Sequence, residues 1–358
     1  MRPTYAEIDL GAIRHNVTTF KELLAPSEVC VVVKADAYGH GDAPVAEAAM
    51  EAGASLLAVA LVEEGIRLRE AGIETPIMVL SEPDPRDAME VAKWGLTPTV
   101  YSLGFAEALA DIGTGFDVHV KVDTGMHRVG IAPRMLHDLM TVIASKPSLQ
   151  VAAVWTHFPV ADEDPVYTRR QIEHFEEVVS HYEVPMVHMA NTAGATLFPE
   201  ARGSLSRIGL GTYGLHPCDE TRDLLELRPA MRIVSHVSHV QRLEAGARPS
   251  YGRIRPLAGE ALVATVPIGY ADGYPRRLSD GGVALIGGER HPLAGTVTMD
   301  QIVVDVGDAD VGVGDEVVLL GGQGDEEVSA DEWARRLGTI SYEIVCGIGP
   351  RVPRRYVE

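Results

Sequence analysis

The chain has few cysteines, few aromatic residues and a deficit of positive charge. Its three cysteines (Cys30, Cys218 and Cys346) lie far apart in 358 residues and form no CxxC pair, which argues against a disulfide or zinc framework. There are 31 Lys and Arg against 51 Asp and Glu, and the net charge of −20 disfavours nucleic acids and anionic membranes as partners. Any bound phosphate therefore needs a local site.

Long apolar segments are also missing. The opening MRPTYAEIDL carries charges where a signal peptide needs an apolar stretch, and no later segment is apolar for the length of a bilayer. We therefore expect a cytoplasmic protein that does not enter a membrane. The length and the 46% hydrophobic content suffice for two cores, so we expect two domains.

Short apolar runs alternate with helical patterns over the first two thirds of the chain. Eight such units predict an α/β fold with a (β/α)₈ barrel of the TIM type, whose active site forms at the C-terminal ends of the strands. Helical patterns cover residues 63–71, 106–112, 135–144 and 168–181. The predicted strands are residues 29–33, 56–60, 76–80, 96–101, 116–122, 150–156, 185–190 and 204–208.

After about Leu227 the sequence changes to valine-rich runs broken by glycine, which predicts a β-rich C-terminal domain. We place the barrel at 1–228 and the β-strand domain at 229–358, and residues 1–9 can pack with the second domain. DADVGVGDEV lacks EF-hand spacing and is predicted to be a turn. His236 and His239 would lie on opposite faces of one strand, so we expect no metal there.

Lys34 directly follows the first predicted strand. A lysine at the end of a buried strand is a candidate Schiff-base former, because desolvation disfavours the ammonium and frees the amine to attack a carbonyl. The alternative is a surface lysine with a buried stem. The first interpretation is favoured because residues suited to one cofactor recur at or just after the ends of later strands: Lys121 and Arg128, His157, Asn191 and Thr192, and Arg207.

Gly209, Gly211 and Gly214 match G-x-G-x-x-G after the eighth predicted strand. A dinucleotide fingerprint should open a helix, whereas LHPCDE follows, with a proline and no helical period. A barrel's phosphate site commonly lies after strands seven and eight, where Thr192 and Gly209 fall. We therefore predict a mononucleotide-sized phosphate cup rather than an NAD site.

Eight motifs resemble, in order, those of one enzyme family. The chain is similar over nearly its whole length to the alanine racemases, which are pyridoxal-phosphate enzymes of fold type III. The motifs are AEIDLGAIRHN (6–16), VVVKADAYGHG (31–41), KVDTGMHRVG (121–130), SRIGLGTYG (206–214), SYGR (250–253), IGYADGYPRR (268–277), TVTMDQ (296–301) and YEIVCGIGPRVPR (342–354).

The resemblance implies that Lys34 binds pyridoxal phosphate and is one catalytic base, with Tyr251 of the partner subunit as the other. It implies a homodimer with shared active sites that interconverts L- and D-alanine and supplies D-alanine for peptidoglycan synthesis. For the cofactor, the resemblance implies that Arg207 faces the pyridine nitrogen, that His157 packs near the ring, and that the phosphate is held by Tyr38, Thr192, Gly209, Leu210 and Tyr342. For the substrate, it implies that Arg128 and the backbone at Met299 of the partner subunit receive the carboxylate, and that Tyr270 and Tyr342 line a narrow access path. Lys121 matches a lysine that is carbamylated in some members.

The implied roles agree with the chemistry of racemisation, which removes a proton from one face of Cα and returns one to the other. Holding a tyrosine as phenolate at neutral pH costs roughly 4 kcal/mol unless nearby cations lower its pKa. His157 and Arg207 are the candidate residues for lowering the pKa of this tyrosine. A guanidinium stays protonated, so Arg207 would leave the pyridine ring a weaker electron sink. We hypothesise that this protects the reaction from transamination.

Three positions depart from the commonest family pattern. Thr192 replaces a serine, Leu210 an isoleucine and Thr298 a cysteine. Thr298 lies beside the implied carboxylate site, so substrate breadth stays open, and a serine or broad-specificity racemase is an alternative. A non-catalytic pyridoxal-phosphate carrier would usually lack the second domain, and a decarboxylase would favour an acidic partner for the pyridine nitrogen.

Overall fold

The computed structural model describes residues 2–358, which form two compact units. The barrel unit comprises residues 11–37 and 41–228, and the C-terminal unit comprises the residues up to Leu10, the short segment Tyr38–His40 and Pro229–Glu358. Met1, part of the predicted 1–9 segment, lies outside the described residues. The N-terminal elements are strand β1 (Tyr5–Asp9), which belongs to the C-terminal unit, and helix α1 (Leu10–Leu24), which belongs to the barrel unit from Gly11 onward.

Parallel strands form a nearly closed barrel. Within residues 2–358 its eight strands are β2 (Glu28–Val32), β3 (Leu56–Val59), β4 (Ile77–Val79), β5 (Thr97–Val100), β6 (Phe116–Lys121), β7 (Leu149–Trp155), β8 (Met186–His188) and β9 (Leu205–Ile208). Consecutive strands from β2 to β8 pair in parallel, and β9 pairs with β2. Two backbone hydrogen bonds, from Ser204 N to Val187 O and from Arg207 N to Ala190 O, link β8 to β9.

The barrel strands are buried on both faces, which is why they are continuous apolar runs in the sequence rather than alternating ones. Every residue of β3, β4 and β9 is buried. The inner face nevertheless carries polar groups, because His119, His188 and Arg207 are also buried. These polar side chains mark the part of the barrel where chemistry can take place.

Helices separate the barrel strands, and side-chain caps define several of their first turns. Asp164 accepts hydrogen bonds from Val166 N and Tyr167 N, and Pro165 occupies the first position of helix α8 (Pro165–Val179), where its missing N–H costs nothing. The further helices of this region are α2 (Lys34–Gly39), α3 (Asp42–Glu51), α4 (Val62–Glu70), α5 (Ala88–Lys93), α6 (Leu103–Ile112), α7 (Leu136–Ala144), α8 (Pro165–Val179), α9 (Thr192–Leu197) and α10 (Asp219–Arg222).

The C-terminal unit is built mainly from strands. Its later strands are β10 (Met231–His236), β11 (His239–Leu243), β12 (Ala261–Val266), β13 (Val283–Ile286), β14 (Glu289–Pro292), β15 (Ile302–Gly307), β16 (Glu316–Gln323), β17 (Glu326–Val328) and β18 (Arg354–Val357). One sheet has the order β14-β13-β16-β10-β1-β18 with β17 beside β16, and a smaller sheet has the order β11-β12-β15. Helices α11 (Ala330–Leu337) and α12 (Ser341–Cys346) complete the unit.

The predicted barrel is confirmed, and each observed barrel strand lies within two residues of its predicted bounds. The predicted turn at DADVGVGDEV lies between β15 and β16. His236 and His239 do not share one strand, so that prediction was wrong: β10 ends at His236, and β11 begins at His239 in a different sheet. Within residues 2–358 no helix combines the length and the apolar character that a membrane crossing requires.

Candidate active site

Lys34 begins an unusual backbone segment at the C-terminal end of β2. Ala35, Asp36, Ala37 and Tyr38 have φ angles of 53°, 54°, 51° and 53°, so α2 is one left-handed turn of non-glycine residues. The left-handed conformation costs L-residues roughly 1–2 kcal/mol each. Such strain persists only where the surrounding structure imposes it, and it is concentrated at functional sites.

Arg207 on β9 is the central cation inside the barrel, and its side chain is buried. Its Nη1 donates to His188 Nδ1 at 2.7 Å. Its Nη2 lies within hydrogen-bonding distance of Thr156 O at 2.9 Å, Met189 O at 2.9 Å and His157 Nδ1 at 3.1 Å. Burial lowers the pKa of Arg207 to about 10, so the guanidinium is still charged at neutral pH.

The histidines around Arg207 are neutral at physiological pH. Burial, followed by the charge of Arg207, holds the pKa of both His157 and His188 well below its usual value. The same two causes lower the pKa of His119 to about 4, and its Nδ1 lies 3.3 Å from His188 Nε2. A neutral imidazole has one nitrogen that accepts a hydrogen bond, so Nδ1 of His157 and Nδ1 of His188 can accept from the Arg207 guanidinium. His157 was predicted for the site, whereas His119 and His188 were not.

Lys121 ends β6, and its amine has a strongly lowered pKa. Burial, followed by the charges of Arg207 and Arg128, lowers its pKa from 10.5 to about 7. Its Nζ lies 4.3 Å from the centroid of the Trp155 ring, and Cζ of Arg207 lies 4.6 Å from the same centroid. Burial and the neighbouring cations therefore favour the uncharged form of the Lys121 amine.

Arg128 is the exposed member of this group. Its loop is held by Asp123, whose Oδ1 accepts from His127 N at 2.9 Å and from Gly125 N at 3.2 Å. Arg128 contributes to the lowered pKa of Lys121 and of His157, so its charge acts at the barrel mouth. The structure thus brings Arg128 into the same electrostatic field as the buried residues.

The predicted phosphate cup is a tight backbone turn. Thr192 Oγ1 accepts from Gly209 N at 3.1 Å and from Gly211 N at 3.5 Å, and Leu210 begins a short 3₁₀ turn that ends at Tyr213. A Cβ on Gly211 would lie 2.4 Å from Phe20 Cε2, so only glycine fits. No long helix follows this turn, as the sequence argument against a dinucleotide site expected.

The remaining predicted residues lie in the C-terminal unit, in three groups, of which Tyr38 with Tyr342 and Tyr270 with Met299 are the first two. The Tyr38 and Tyr342 rings have centroids 6.0 Å apart, and burial, followed by Tyr342, raises the pKa of Tyr38. Tyr270 and Met299 are held together, because Tyr270 N donates to Thr298 O at 3.0 Å and Ala271 N to Met299 O at 3.1 Å.

Tyr251 lies in an exposed loop that is hydrogen-bonded to Thr296. Ser250 and Arg253 have φ angles of 67° and 47°, and Thr296 Oγ1 donates to Tyr251 O at 2.7 Å. Tyr251 is 74% exposed and Met299 is 52% exposed within this chain. Large exposed apolar side chains are candidates for a surface that another molecule covers.

The barrel mouth fits a phosphate-bearing, electron-withdrawing cofactor. The charges of Lys34, Arg128 and Arg207 all lower the pKa of Lys121, so the site carries concentrated positive charge that suits an anion. Arg207 Nε–H has no acceptor among residues 2–358, so it can donate to an unprotonated ring nitrogen. Within the same residues no cluster of three His, Cys, Asp or Glu side chains is arranged to hold a metal ion.

Sequence reasoning missed two glutamates at this end of the barrel. Glu64 Oε1 accepts from Ala35 N at 2.7 Å, directly after Lys34. Glu82 accepts from Ser102 N at 2.8 Å and from Ser102 Oγ at 2.6 Å. The only sequence signal is weak: Glu64 lies four residues and Glu82 two residues after a predicted strand.

Comparison with known proteins agrees with this geometry. The family profile for the alanine racemase N-terminal domain matches residues 8–217, and that for the C-terminal domain matches residues 230–356. An alanine racemase from Symbiobacterium thermophilum is 45% identical over 99% of this chain and 97% of its own length. The crystal structure of alanine racemase from E. faecalis has a TM-score of 0.94 at 37% identity, covering 99% of this chain and 98% of that one.

A histidine racemase from Leuconostoc mesenteroides also shares the fold. It has a TM-score of 0.92 at 30% identity and covers 100% of this chain and 98% of its own. The fold thus occurs in racemases named for different amino acids. Because both family profiles match and the relatives align over their full lengths, this chain belongs to the alanine racemase family.

Proposed function

We propose that the protein is a pyridoxal-phosphate-dependent racemase that interconverts L- and D-alanine. The observation that carries this proposal is the barrel mouth itself: Lys34 follows β2 on a strained turn, and buried Arg207 lies on the neighbouring strand β9. When bound, the cofactor supplies a carbonyl for amines and a ring that withdraws electrons from the substrate Cα. Family membership supports alanine as the substrate.

The barrel residues would hold this cofactor by the groups already described. Lys34 would hold the cofactor's aldehyde end through Nζ, and Arg207 would donate to the ring nitrogen without protonating it, since the guanidinium keeps its own proton. His157 packs near the ring. The turn at Thr192, Gly209 and Leu210 supplies phosphate donors, and Tyr38 and Tyr342 supply two hydroxyls.

Proton transfer requires a base on each face of Cα. Lys34 serves one face, and Tyr251 of the partner subunit serves the other, in a homodimer in which the domain at 229–358 completes the site of the barrel at 1–228. The exposed loop around Tyr251 supports this arrangement, because neither its strained backbone nor its 74% exposure is explained within one chain. Arg128 and the backbone at Met299 of the partner subunit receive the substrate carboxylate, and Tyr270 and Tyr342 narrow the access path.

The proposal is tested by incubating the cofactor-loaded protein with L-alanine, and separately with L-serine, in deuterated water. Chiral chromatography measures the enantiomers, and mass spectrometry measures deuterium at Cα. We expect D-alanine to form faster than D-serine and to carry deuterium from its first appearance, because with two bases the proton that arrives differs from the one that leaves.

Each other outcome has a definite meaning. D-Alanine that retains protium at first would indicate one base and remove Tyr251 from the mechanism. Faster racemisation of serine would favour the second candidate, a racemase with a different or broader substrate range, which Thr298 beside Met299 and the shared fold of the histidine racemase support. Absence of exchange with both amino acids would overturn the proposal.

As part of the same proposal, the enzyme acts in the cytoplasm and supplies D-alanine for peptidoglycan.

We further propose that Lys121 is carbamylated. A neutral amine adds to CO₂, forming an N–C bond and releasing one proton, and the pKa of Lys121 near 7 makes its amine neutral above that pH. The resulting carboxylate would offset the neighbouring charges of Arg128 and Arg207. The modification should therefore increase as pH rises through 7.

The expected result is a ¹³C carbamate resonance after incubation with ¹³C-bicarbonate, absent in Lys121→Met and retained in the control Lys93→Met, since Lys93 is exposed on α5. Lys121→Met should raise KM for alanine roughly tenfold, because Arg128 loses the charge that orients it. A resonance that persists in Lys121→Met, or one that weakens as pH rises, would contradict the assignment.

A further inference from the structure

Glu64 is a buried carboxylate at the barrel mouth that the proposed chemistry does not use. It lies in the first turn of α4 and is only 7% exposed. Its Oε1 accepts from Ala35 N at 2.7 Å, and its Oε2 accepts from Ala60 N at 2.8 Å and from Leu61 N at 3.1 Å. One side chain thus ties the residue after Lys34 to the end of β3.

Helix capping explains only half of this arrangement. The bond from Leu61 N to Oε2 closes the N-terminus of α4, as a glutamate at the third helical position often does. The bond from Ala35 N to Oε1 reaches a different strand end, 29 residues earlier in the chain. A capping role has no need for this second contact.

The second contact falls where the backbone needs outside support. Ala35 is the first of four successive non-glycine residues with positive φ. A left-handed turn of this kind costs roughly 1–2 kcal/mol per residue, so it returns to an ordinary conformation unless its surroundings hold it. Glu64 holds the first N–H of the turn with a charged acceptor, and charge-assisted hydrogen bonds are about twice as strong as neutral ones.

We propose that Glu64 is the positioning residue that maintains the left-handed turn after Lys34 and thereby sets the direction of the Lys34 amine. This inference rests on the proposed function, since it takes Lys34 as the amine that acts on cofactor and substrate. Glu64 itself contacts only backbone N–H groups in these hydrogen bonds. Its effect on the reaction is therefore exerted through Lys34.

Glu82 provides a matched control on the same rim of the barrel. It follows β4 and accepts from Ser102 N and Ser102 Oγ after β5, so it joins two strand ends as Glu64 does. Its hydrogen bonds do not involve the segment after Lys34. Glu82→Gln therefore reproduces the loss of a rim carboxylate without releasing the left-handed turn.

The test compares Glu64→Gln with Glu82→Gln in the full chain. A glutamine has one carbonyl oxygen, so it cannot accept on both sides, and either Ala35 N or the Ala60 and Leu61 pair loses its acceptor. We expect Glu64→Gln to lower kcat about tenfold to hundredfold with a smaller change in KM, because the amine is misdirected rather than substrate binding weakened. In the cofactor-free chain, we expect faster hydrogen exchange at residues 35–38 and an altered pH profile for acetylation of Lys34.

The outcomes separate the two proposals. If borohydride fixes no pyridoxyl group on Lys34 of the unaltered protein, the proposed function fails, while exchange and acetylation in the cofactor-free chain still decide the role of Glu64. If Glu64→Gln matches Glu82→Gln in exchange, acetylation profile and kcat, the positioning role is overturned. If Glu64→Gln does not fold, Glu64→Asp replaces it, since aspartate keeps the carboxylate but is shorter by one methylene. Hydrogen exchange, the acetylation profile of Lys34 and kcat are then measured on Glu64→Asp.

Discussion

Replacing Lys34 with alanine is expected to lower the rate of alanine racemisation by at least about 10³-fold, since the side chain would supply both the bond to the cofactor and one of the two bases. The measurement is D-alanine formation by the cofactor-loaded variant, followed by chiral chromatography. Borohydride treatment should fix a pyridoxyl group on the Lys34 peptide of the unaltered protein and on no peptide of the variant.

Two controls make this prediction specific. Lys93→Ala removes an exposed lysine from α5 and should leave the rate within twofold, as surface substitutions usually have small effects. Methylamine added to Lys34→Ala should restore part of the activity, because it returns a basic amine to the space that the side chain filled. A variant that keeps more than a tenth of the activity without added amine would rule out Lys34 as the essential amine.

Replacing Arg207 with glutamate is expected to slow racemisation and to produce pyruvate from alanine, the result of transamination. A glutamic acid can give the ring nitrogen a proton, which the guanidinium cannot, and the protonated ring is a stronger electron sink. We expect the ratio of pyruvate formed to alanine racemised to rise at least about tenfold. Lactate dehydrogenase, which consumes NADH as pyruvate forms, provides the assay.

Stability should fall in the same variant for a separate reason. Arg207 donates to two histidine rings and two backbone carbonyls, and removing one partner from such a buried charged network costs about 3–5 kcal/mol. Arg202→Ala is the control, since Arg202 donates to Ala195 O and Leu23 O in the same barrel, and these hydrogen bonds do not involve Arg207 or the histidines around it. It should lower the melting temperature without pyruvate formation. Pyruvate from Arg202→Ala, or none from Arg207→Glu, would refute the specificity role.

Much of the barrel could be predicted because its strands are local features of the sequence. Runs such as residues 29–33 and 56–60 are short, apolar and rich in β-branched residues, and strands buried on both faces require that composition. The helices α11 and α12 were not predicted within the β-rich segment. These helices are only eight and six residues long, so each shows little helical periodicity, and the flanking valine-rich segments favour a strand prediction.

The candidate site could be predicted only as a set of residues. Lys34, Lys121, His157 and Arg207 lie at or close to the C-terminal ends of strands, and the strand ends of a barrel bring such residues to one end of the fold. Their protonation could not be read from the sequence, because it depends on burial and on charges that come from distant positions. Lys121 illustrates this, since its pKa near 7 results from burial and from Arg207, which lies 86 residues later in the chain.

By itself the sequence determined the alternation of strands and helices, the β-rich C-terminal region and the identity of the residues available for chemistry. These features depend on composition and on interactions between residues that are close in the sequence. Only the tertiary structure decided the left-handed turn after Lys34, its support by Glu64 and the neutral histidines around Arg207. Each of these depends on contacts between residues far apart in the chain and on the low dielectric of a buried site, which exist only once the barrel has formed.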